Sequence, residues 1–438
     1  MGKKFAVALA LVALMAAPAF ASVQNVKVGG SLATTSVIRS SFDLGANPQS
    51  QTVQNVVLSQ VGLTVQADLT DNVSTNLRLV NERLWGQYDA SSANANVDID
   101  TAYVTMKELL YSPLTLTVGR QPLVYGNQFL IGDGDLTTKV GAVTDITGGS
   151  NFDAVKAVLS YNPLTVDLFA AKTAENGTVQ QNGGNDNTNL YGVNANYKLG
   201  DKMSTVVEAY TFARMNKSVI DATQTKAENL YVPGLRVSTN PIEGLNLQLE
   251  GSYEIGDGAT VAGRQSKTRA YGLQGMANYA LPVMKNMKPV VSAGYTLLSG
   301  DKSSTDTRNT AFDPLFENQK TGRIFDSLFA QSNMHIINLA AEVTPVQDLT
   351  AKLTWFDLME QKAVSSMNLN QPDGTTGLVT AMTDKKLLGN EFDLDLTYAY
   401  TEDVKFGLSA GTFLPGKAFS SANKDSASQV LSSVSVAF

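Results

Sequence analysis

The sequence predicts an all-β protein: a transmembrane antiparallel β-barrel of about 18 strands, with short periplasmic turns at one rim and long extracellular loops at the other. Three observations carry that prediction. Segments that alternate apolar and polar residues recur along the chain from Val26 onward, the period of a strand with one wet and one oily face. The gaps between them alternate, short then long, which puts every tight turn at the same end. Although 43% of the residues are hydrophobic, nothing beyond the N-terminal segment approaches the ~18 consecutive apolar residues of a spanning helix.

The first residues read as an address. Lys3 and Lys4 precede an apolar run from Phe5 to Ala17, and Ala19-Phe20-Ala21 stands ahead of Ser22. A basic start, a short apolar stretch and a small-x-small site make a secretory signal peptide. Residues 1–21 are therefore expected to be removed and residues 22–438 to form the barrel. Losing the two lysines takes the formal charge from −7 to −9. There is no cysteine, so disulfides, thiolate metal sites and haem attachment are excluded and no cofactor is expected. An acidic chain without a basic stripe is not a nucleic-acid binder.

The strands follow in order. Short gaps fall at Thr70–Asn72, Tyr111–Pro113, Tyr161–Pro163, Leu199–Lys202, Asn240–Gly244, Pro345–Asp348 and Thr401–Asp403, each carrying the Asn, Asp, Gly or Pro that turns require. Long gaps rich in Asn, Gly, Thr and Ser run through Asp89–Val97, Asn127–Asn151, Thr173–Asn187, Asn216–Ala227, Asp257–Ser266, Lys302–Ser332, Gln361–Lys386 and Ala418–Ser426. The clearest strands are Val57–Leu69, Leu114–Val118, Leu164–Ala170, Leu245–Ile255, Leu273–Leu281, Ile337–Val343, Phe392–Tyr400 and Val404–Thr412. In one of them Leu245, Leu247, Leu249, Tyr253 and Ile255 oppose Asn246, Gln248, Glu250, Ser252 and Glu254. In another, Phe392, Leu394, Leu396 and Tyr398 oppose Glu391, Asp393 and Asp395. No helical segment is available to cover so many apolar faces, so lipid covers them, and a closed barrel satisfies every backbone group inside the hydrocarbon. The last strand, Ser426 to Phe438, closes the barrel and sets its final aromatic at the membrane interface. Trp85, Trp355, Tyr161, Tyr197, Tyr279 and Tyr400 sit near strand ends as girdle residues.

A barrel this wide leaves an aqueous lumen unless loops fill it, which makes a channel in the outer membrane the leading function. Strand charges on the polar parity then face the lumen: Arg78, Glu82, Glu208, Arg214, Arg236, Glu250, Glu254, Glu342, Lys352, Glu391, Asp393 and Asp395, together with Asp68, Lys107, Lys156, Asp167 and Lys405. Acids outnumber bases, so the wall is mixed and acid-leaning. Arg120 keeps step with Leu114, Leu116 and Val118. Either a bulge at Gly119 turns it into the lumen, or it touches headgroups at the outer rim.

Several segments resemble one family. Leu116-Thr-Val-Gly-Arg-Gln-Pro-Leu-Val-Tyr-Gly126 with Phe129-Leu-Ile-Gly-Asp133, Tyr295 to Asp301 with Phe312-Asp-Pro-Leu-Phe316, Leu388-Gly-Asn-Glu-Phe-Asp393, and Phe413 to Gly416 resemble the recurrent motifs of the alginate-export family of outer-membrane porins. The resemblance covers most of the chain. It implies a barrel of the size inferred above, built to pass a polyanionic polysaccharide. A conduit for a polyanion focuses a positive field at its constriction, and the acid-leaning lumen departs from that pattern. The reading that follows is a porin of this family for small hydrophilic solutes or saccharides. The alternative is a barrel sheath around a periplasmic export component or a secreted electron carrier. Loops Asn127–Asn151 and Lys302–Ser332 exceed what a cap needs and are candidates to fold into the lumen. Gly132-Asp-Gly-Asp135 has two oxygen ligands but not the spacing of a calcium loop. His335 is the only histidine, beside a long loop and without a nucleophile, so catalysis is not expected.

Overall fold

In the computed structural model, residues 23–46, 53–86, 97–132, 143–147, 151–174, 188–217, 227–261, 264–302, 306–319, 321–372 and 376–438 are described. The expected signal peptide lies outside them. The strands begin with β1 (Gln24–Ser40), β2 (Gln54–Thr70), β3 (Val73–Leu84), β4 (Asp98–Met106), β5 (Leu114–Gln121), β6 (Phe152–Tyr161) and β7 (Leu164–Ala174). There follow β8 (Thr188–Lys198), β9 (Val206–Asn216), β10 (Glu228–Ile242), β11 (Leu245–Val261), β12 (Arg264–Ala280), β13 (Val290–Leu298) and β14 (Arg308–Asn309). The last are β15 (Met334–Val346), β16 (Leu349–Glu360), β17 (Ser366–Asn370), β18 (Thr376–Ala381), β19 (Leu387–Ala399), β20 (Val404–Pro415) and β21 (Ala427–Ala437).

One sheet holds 19 of these strands. The two-residue β14 only runs alongside β12, which leaves 18 antiparallel strands closed on themselves. Closure is made by β1 against β21, from Ser31 opposite Ala437 to Ser40 opposite Ser428. The Gly30 N–H donates to the Phe438 carbonyl at 2.8 Å and the Phe438 N–H returns a bond to the Gly30 carbonyl at 3.0 Å. β17 and β18 form a separate hairpin between β16 and β19. Among the described residues the barrel sheet closes without a free edge strand, so its backbone groups find partners within the wall.

The alternation read from the sequence sets the two faces. Leu249, Tyr253 and Ile255 stand exposed on β11 while Glu250, Ser252 and Glu254 are buried; on β19, Phe392, Leu394 and Tyr398 are exposed while Glu391 and Asp393 are buried. Near the long-loop rim Tyr191, Tyr231, Tyr253, Tyr271 and Tyr295 all point outward, an aromatic girdle at the interface depth. Trp85 joins them, donating its indole N–H to the Ser59 hydroxyl at 2.7 Å. His335 stands beside that girdle, its ring 2.7 Å from the Tyr295 hydroxyl.

The inner face departs from the expected pattern in one half of the barrel. Toward the long loops it is apolar: Phe152, Phe169, Phe212, Leu230 and Val232 are buried there, although each points away from lipid. Their cover is protein. Residues 123–131 and 312–316 pack on them as one cluster.

Candidate functional site: a collar folded into the lumen

Four loop segments enter the barrel and line its interior. Residues 123–131 and 312–316 sit against β6 to β13. The one-turn helix Phe325–Leu328, with Ile324 and Phe329, sits against β15, β16, β19 and β20. Val143, just before the one-turn helix Thr144–Thr147, and Ile146 within it sit against β1, β2 and β3. The segments are tied to one another. Ile131 and Phe316 form a parallel bridge, with the Gly132 N–H donating to the Phe316 carbonyl at 2.8 Å and the Phe316 N–H to the Leu130 carbonyl at 2.9 Å. The Ser327 hydroxyl donates to Asp145 at 2.8 Å. The result is a collar of loop chain inside the barrel. Both loops expected to fold inward do so within the described residues, while Asp133 and Asp135 of the Gly-Asp turn lie outside them.

Aromatic packing seats the collar. Tyr125 stacks on Phe169 at 5.4 Å and lies 5.5 Å from Phe212; Phe129 stacks on Phe312 at 5.8 Å. Gly272 lets that last pair touch the wall, because a Cβ there would stand 2.7 Å from Phe312 and 2.8 Å from Phe129. Phe325, Leu328 and Phe329 are fully buried, each burial worth about 1.5–3 kcal/mol.

Strand charges hold the collar's backbone. Glu391 accepts the N–H groups of Arg323 (2.7 Å), Ile324 (2.9 Å) and Phe325 (2.7 Å). Asp393 accepts the Arg323 N–H at 3.2 Å, and Asp395 pairs with the Arg323 guanidinium at 2.9 Å. Across the barrel, Glu254 accepts the Asp313 N–H through both oxygens, at 3.1 and 3.0 Å, while Arg214 grips the Asp313 carboxylate in a two-pronged ion pair. Arg39 does the same to Asp145. A buried charge must be paired or hydrogen-bonded, and here loop backbone and loop side chains supply the partners.

The other expected lumen residues fall into smaller groups. Arg236 lies between Glu208 at 3.2 Å and Glu250 at 3.8 Å and donates to Gln248 at 2.8 Å; the Tyr210 hydroxyl donates to Glu250 at 2.8 Å. Arg78 pairs with Asp100 at 2.9 Å, and Glu82 accepts from Gln60 at 2.7 Å. Glu342 stands opposite Lys352, and Lys352 opposite Asp395, toward the short-turn rim. Arg120 points outward. It stays in step with Val118 and lies 3.5 Å from the exposed Asp153, in an unbroken register with β6, so the rim position is the one it takes. Sequence reasoning missed Arg39, Asp145, Asp313, Arg323 and Asp326. Four of them sit in loops, where no alternation announces which way a side chain points.

Two loop groups are shifted by this packing. Asp326 is pushed up to about 7 from the ordinary 3.8, by burial first and then by the neighbouring Glu317 carboxylate. Burial likewise raises the Tyr125 hydroxyl far above the usual phenol range, with the Asp167 carboxylate adding to it.

A closed barrel, oily outside, girdled with aromatics and narrowed inside by its own loops, defines an outer-membrane channel for solutes. The chain belongs to the alginate export family, whose model matches residues 24–432. No match is found among curated protein sequences. Among solved structures it is similar to the outer-membrane protein OpdK of Pseudomonas aeruginosa, at 10% identity and a TM-score of 0.59, covering 95% of this chain and 99% of that one. It is also similar to OccAB3 of Acinetobacter baumannii (11%, TM-score 0.57, 94% and 99%) and to OpdQ of Pseudomonas aeruginosa (13%, TM-score 0.56, 95% and 98%). At such identities what is shared is the fold. The protein is located in the bacterial outer membrane, and it is a channel rather than an enzyme.

Proposed function

We propose that this channel passes small hydrophilic solutes down their gradient, with the collar setting the size limit, and that it does not carry an extended polysaccharide. One observation carries the reading: loop segments packed on the walls along β1–β3, β6–β13 and β15–β20 are joined to each other inside the lumen. A polymer conduit needs a continuous wide bore and a positive constriction. Here Arg39, Arg214 and Arg236 are each engaged by carboxylates, so among the described residues these three leave no unopposed basic stripe. A similar barrel, OpdK, is described with vanillate, a single small molecule, which supports passage on that scale. A sheath around a folded protein partner is disfavoured by the same collar, because it occupies the space that such a partner would fill.

The test is liposome swelling with the purified chain, using sugars of increasing size beside uronate oligomers. Monosaccharides are expected to permeate, with a steep fall as size increases and no entry of the longer oligomers. Equal rates for a monosaccharide and a long uronate chain would overturn the proposal.

A further inference from the structure

Above the aromatic girdle, on the lipid side of the wall, three basic side chains stand together. The alternation of β12 turns two of them outward. Thr268 and Ala270 are buried inside the barrel, while Lys267, Arg269 and Tyr271 are exposed on the other face. Tyr271 lies opposite Tyr253 on β11, Arg269 opposite Ile255, and Lys267 opposite Asp257. On its other side β12 meets β14, where Lys267 stands beside Arg308, which is exposed as well. At about 7 Å for two residues along a strand and about 5 Å between strands, the three bases form one compact patch.

The acids of this rim are engaged elsewhere. Asp257 takes the Lys267 ammonium. Asp306 accepts the Arg308 backbone N–H at 2.8 Å, and Asp301 accepts the Thr310 N–H at 3.3 Å. The guanidinium groups of Arg269 and Arg308 remain: among the described residues neither makes a hydrogen bond or an ion pair. Each is a planar fork of N–H donors, and at this depth the surrounding medium is the headgroup layer. An unpaired guanidinium there is matched by an anion that the lipid supplies. The long-loop rim faces away from the cell, so the leaflet is the outer one, whose glycolipid carries phosphates on a sugar core. Phosphate suits two neighbouring arginines, because a guanidinium meets it through parallel N–H···O bonds. Just below, the exposed rings of Tyr253 and Tyr271 offer an apolar face with a polar tip, the surface that the junction of sugar and acyl chain requires.

We propose that the outer surface of β12 and β14 is a binding site for the phosphorylated glycolipid of the outer leaflet. Arg269 and Arg308 grip one phosphate, Lys267 stands beside them, and Tyr253 and Tyr271 lie against the sugar and the first acyl carbons. The site is on the lipid face and not in the lumen, so it is independent of what the channel passes.

The experiment titrates the purified full chain, in a neutral detergent, with bisphosphorylated lipid A and reads bound lipid by native mass spectrometry. Saturable binding is expected, and about tenfold weaker binding of the same lipid stripped of its phosphates; this arm needs no variant. Arg269→Ala and Arg308→Ala should each raise the half-saturating concentration about tenfold, the loss of one charge-assisted contact. Arg269→Lys should recover part of that loss, since it restores the charge without the fork. Lys202→Ala, at an exposed position on the short-turn rim, should bind as the parent does. Heat-shifted gel mobility, recorded for every variant, separates lost binding from a lost barrel. Inorganic phosphate in large excess should leave the lipid bound; full displacement would make the patch a free-anion site and overturn the lipid assignment. Equal binding of lipid A with and without its phosphates, or an affinity unchanged in both alanine variants of the arginines, overturns the site and leaves the channel standing.

Discussion

Removing the Glu391 carboxylate should detach the collar from the wall without unfolding the barrel. Ordering residues 323–329 costs about 10 kcal/mol at roughly 1–2 kcal/mol per residue. Burying Phe325, Leu328 and Phe329 offsets about 7 kcal/mol of that. Three N–H groups donating to one buried carboxylate contribute about 7 kcal/mol more, at about 1.5–3 each. With the carboxylate the segment is held by a few kcal/mol; without it the balance is unfavourable by about 3 kcal/mol. Glu391→Ala should therefore leave the collar open most of the time. Glu391→Gln keeps one acceptor oxygen but sets an amide N–H against a backbone N–H, so it should weaken the seat by about 2 kcal/mol, a factor near thirty in local opening. Two assays read this. Amide exchange over residues 323–329 should accelerate in the order parent, Gln, Ala, and single-channel records should become larger and noisier in the same order. The strand amides of β19 and the heat-shifted gel mobility should not change. If collar exchange and conductance both match the parent in Glu391→Ala, the carboxylate does not hold the collar and the reasoning fails.

Three further outcomes follow from the same geometry. Gly272→Val would put side-chain carbons into the Phe129–Phe312 pair, where even a Cβ lies under 3 Å from both rings. Overpacking of about 1–3 kcal/mol should displace the 312–316 segment, seen as altered conductance in a barrel that still folds. Gly30→Val meets the Phe438 ring, 2.5 Å from a Cβ at that position, and should lower the temperature at which the unheated gel form is lost; an unchanged transition would show that the closing contact carries no stability. The third outcome is a pH dependence of the collar. Asp326 is pushed up to about 7 when seated, against an ordinary 3.8, by burial first, with Glu317 and Asp393 adding to it and the Gly322 and Thr321 N–H groups lowering it. A raised carboxyl favours the seated, protonated collar, so this stabilisation is complete below about pH 4 and is lost as pH rises to about 7. Collar amide exchange, corrected for its intrinsic pH dependence, should be slower at pH 5 than at pH 8, and Asp326→Asn should remove the difference.

The barrel was legible because a strand of period two states which face meets lipid, and because turn chemistry marks each short connection. Glu250 and Glu254 against Leu249 and Tyr253 are read correctly from spacing alone. The interior was legible only in part. The rule that inward means polar holds toward the short-turn rim, where Glu342 faces Lys352, and fails toward the loops. Phe152, Phe169 and Phe212 are inward and apolar because chain from elsewhere covers them. A strand's own pattern cannot say whether an inward apolar residue meets water or a folded loop. Loop length announced that something enters the lumen. It did not announce that Asp313 would seat on Glu254 and Arg214, or that residues 323–325 would seat on Glu391.

The segments that resemble the family now have a common physical reason. In the first, Gly119 takes a positive φ of 124°, and Gln121 is buried with its amide on the Thr117, Gly119 and Ala154 carbonyls. That amide fixes the point where β5 ends and the chain turns inward. Tyr125 and Phe129 then supply the rings that seat the turn. In the second, Phe312 completes the ring pair, Asp313 takes the two anchors and Phe316 makes the bridge to Ile131. In the third, Gly389 takes a φ of 154° beside Leu414 and Phe413, which lets Glu391 and Asp393 face the collar. Each of these three is therefore either the end of a strand as its loop enters the lumen or the seat on which that loop rests. A barrel wall tolerates many residues at each position so long as the alternation holds, whereas a loop crossing an open lumen has no ladder to hold it and needs particular partners. On that argument the motifs encode the narrowing of the channel. Relatives that keep the barrel alternation but lack Glu254, Asp313 and Glu391 should conduct as wide pores.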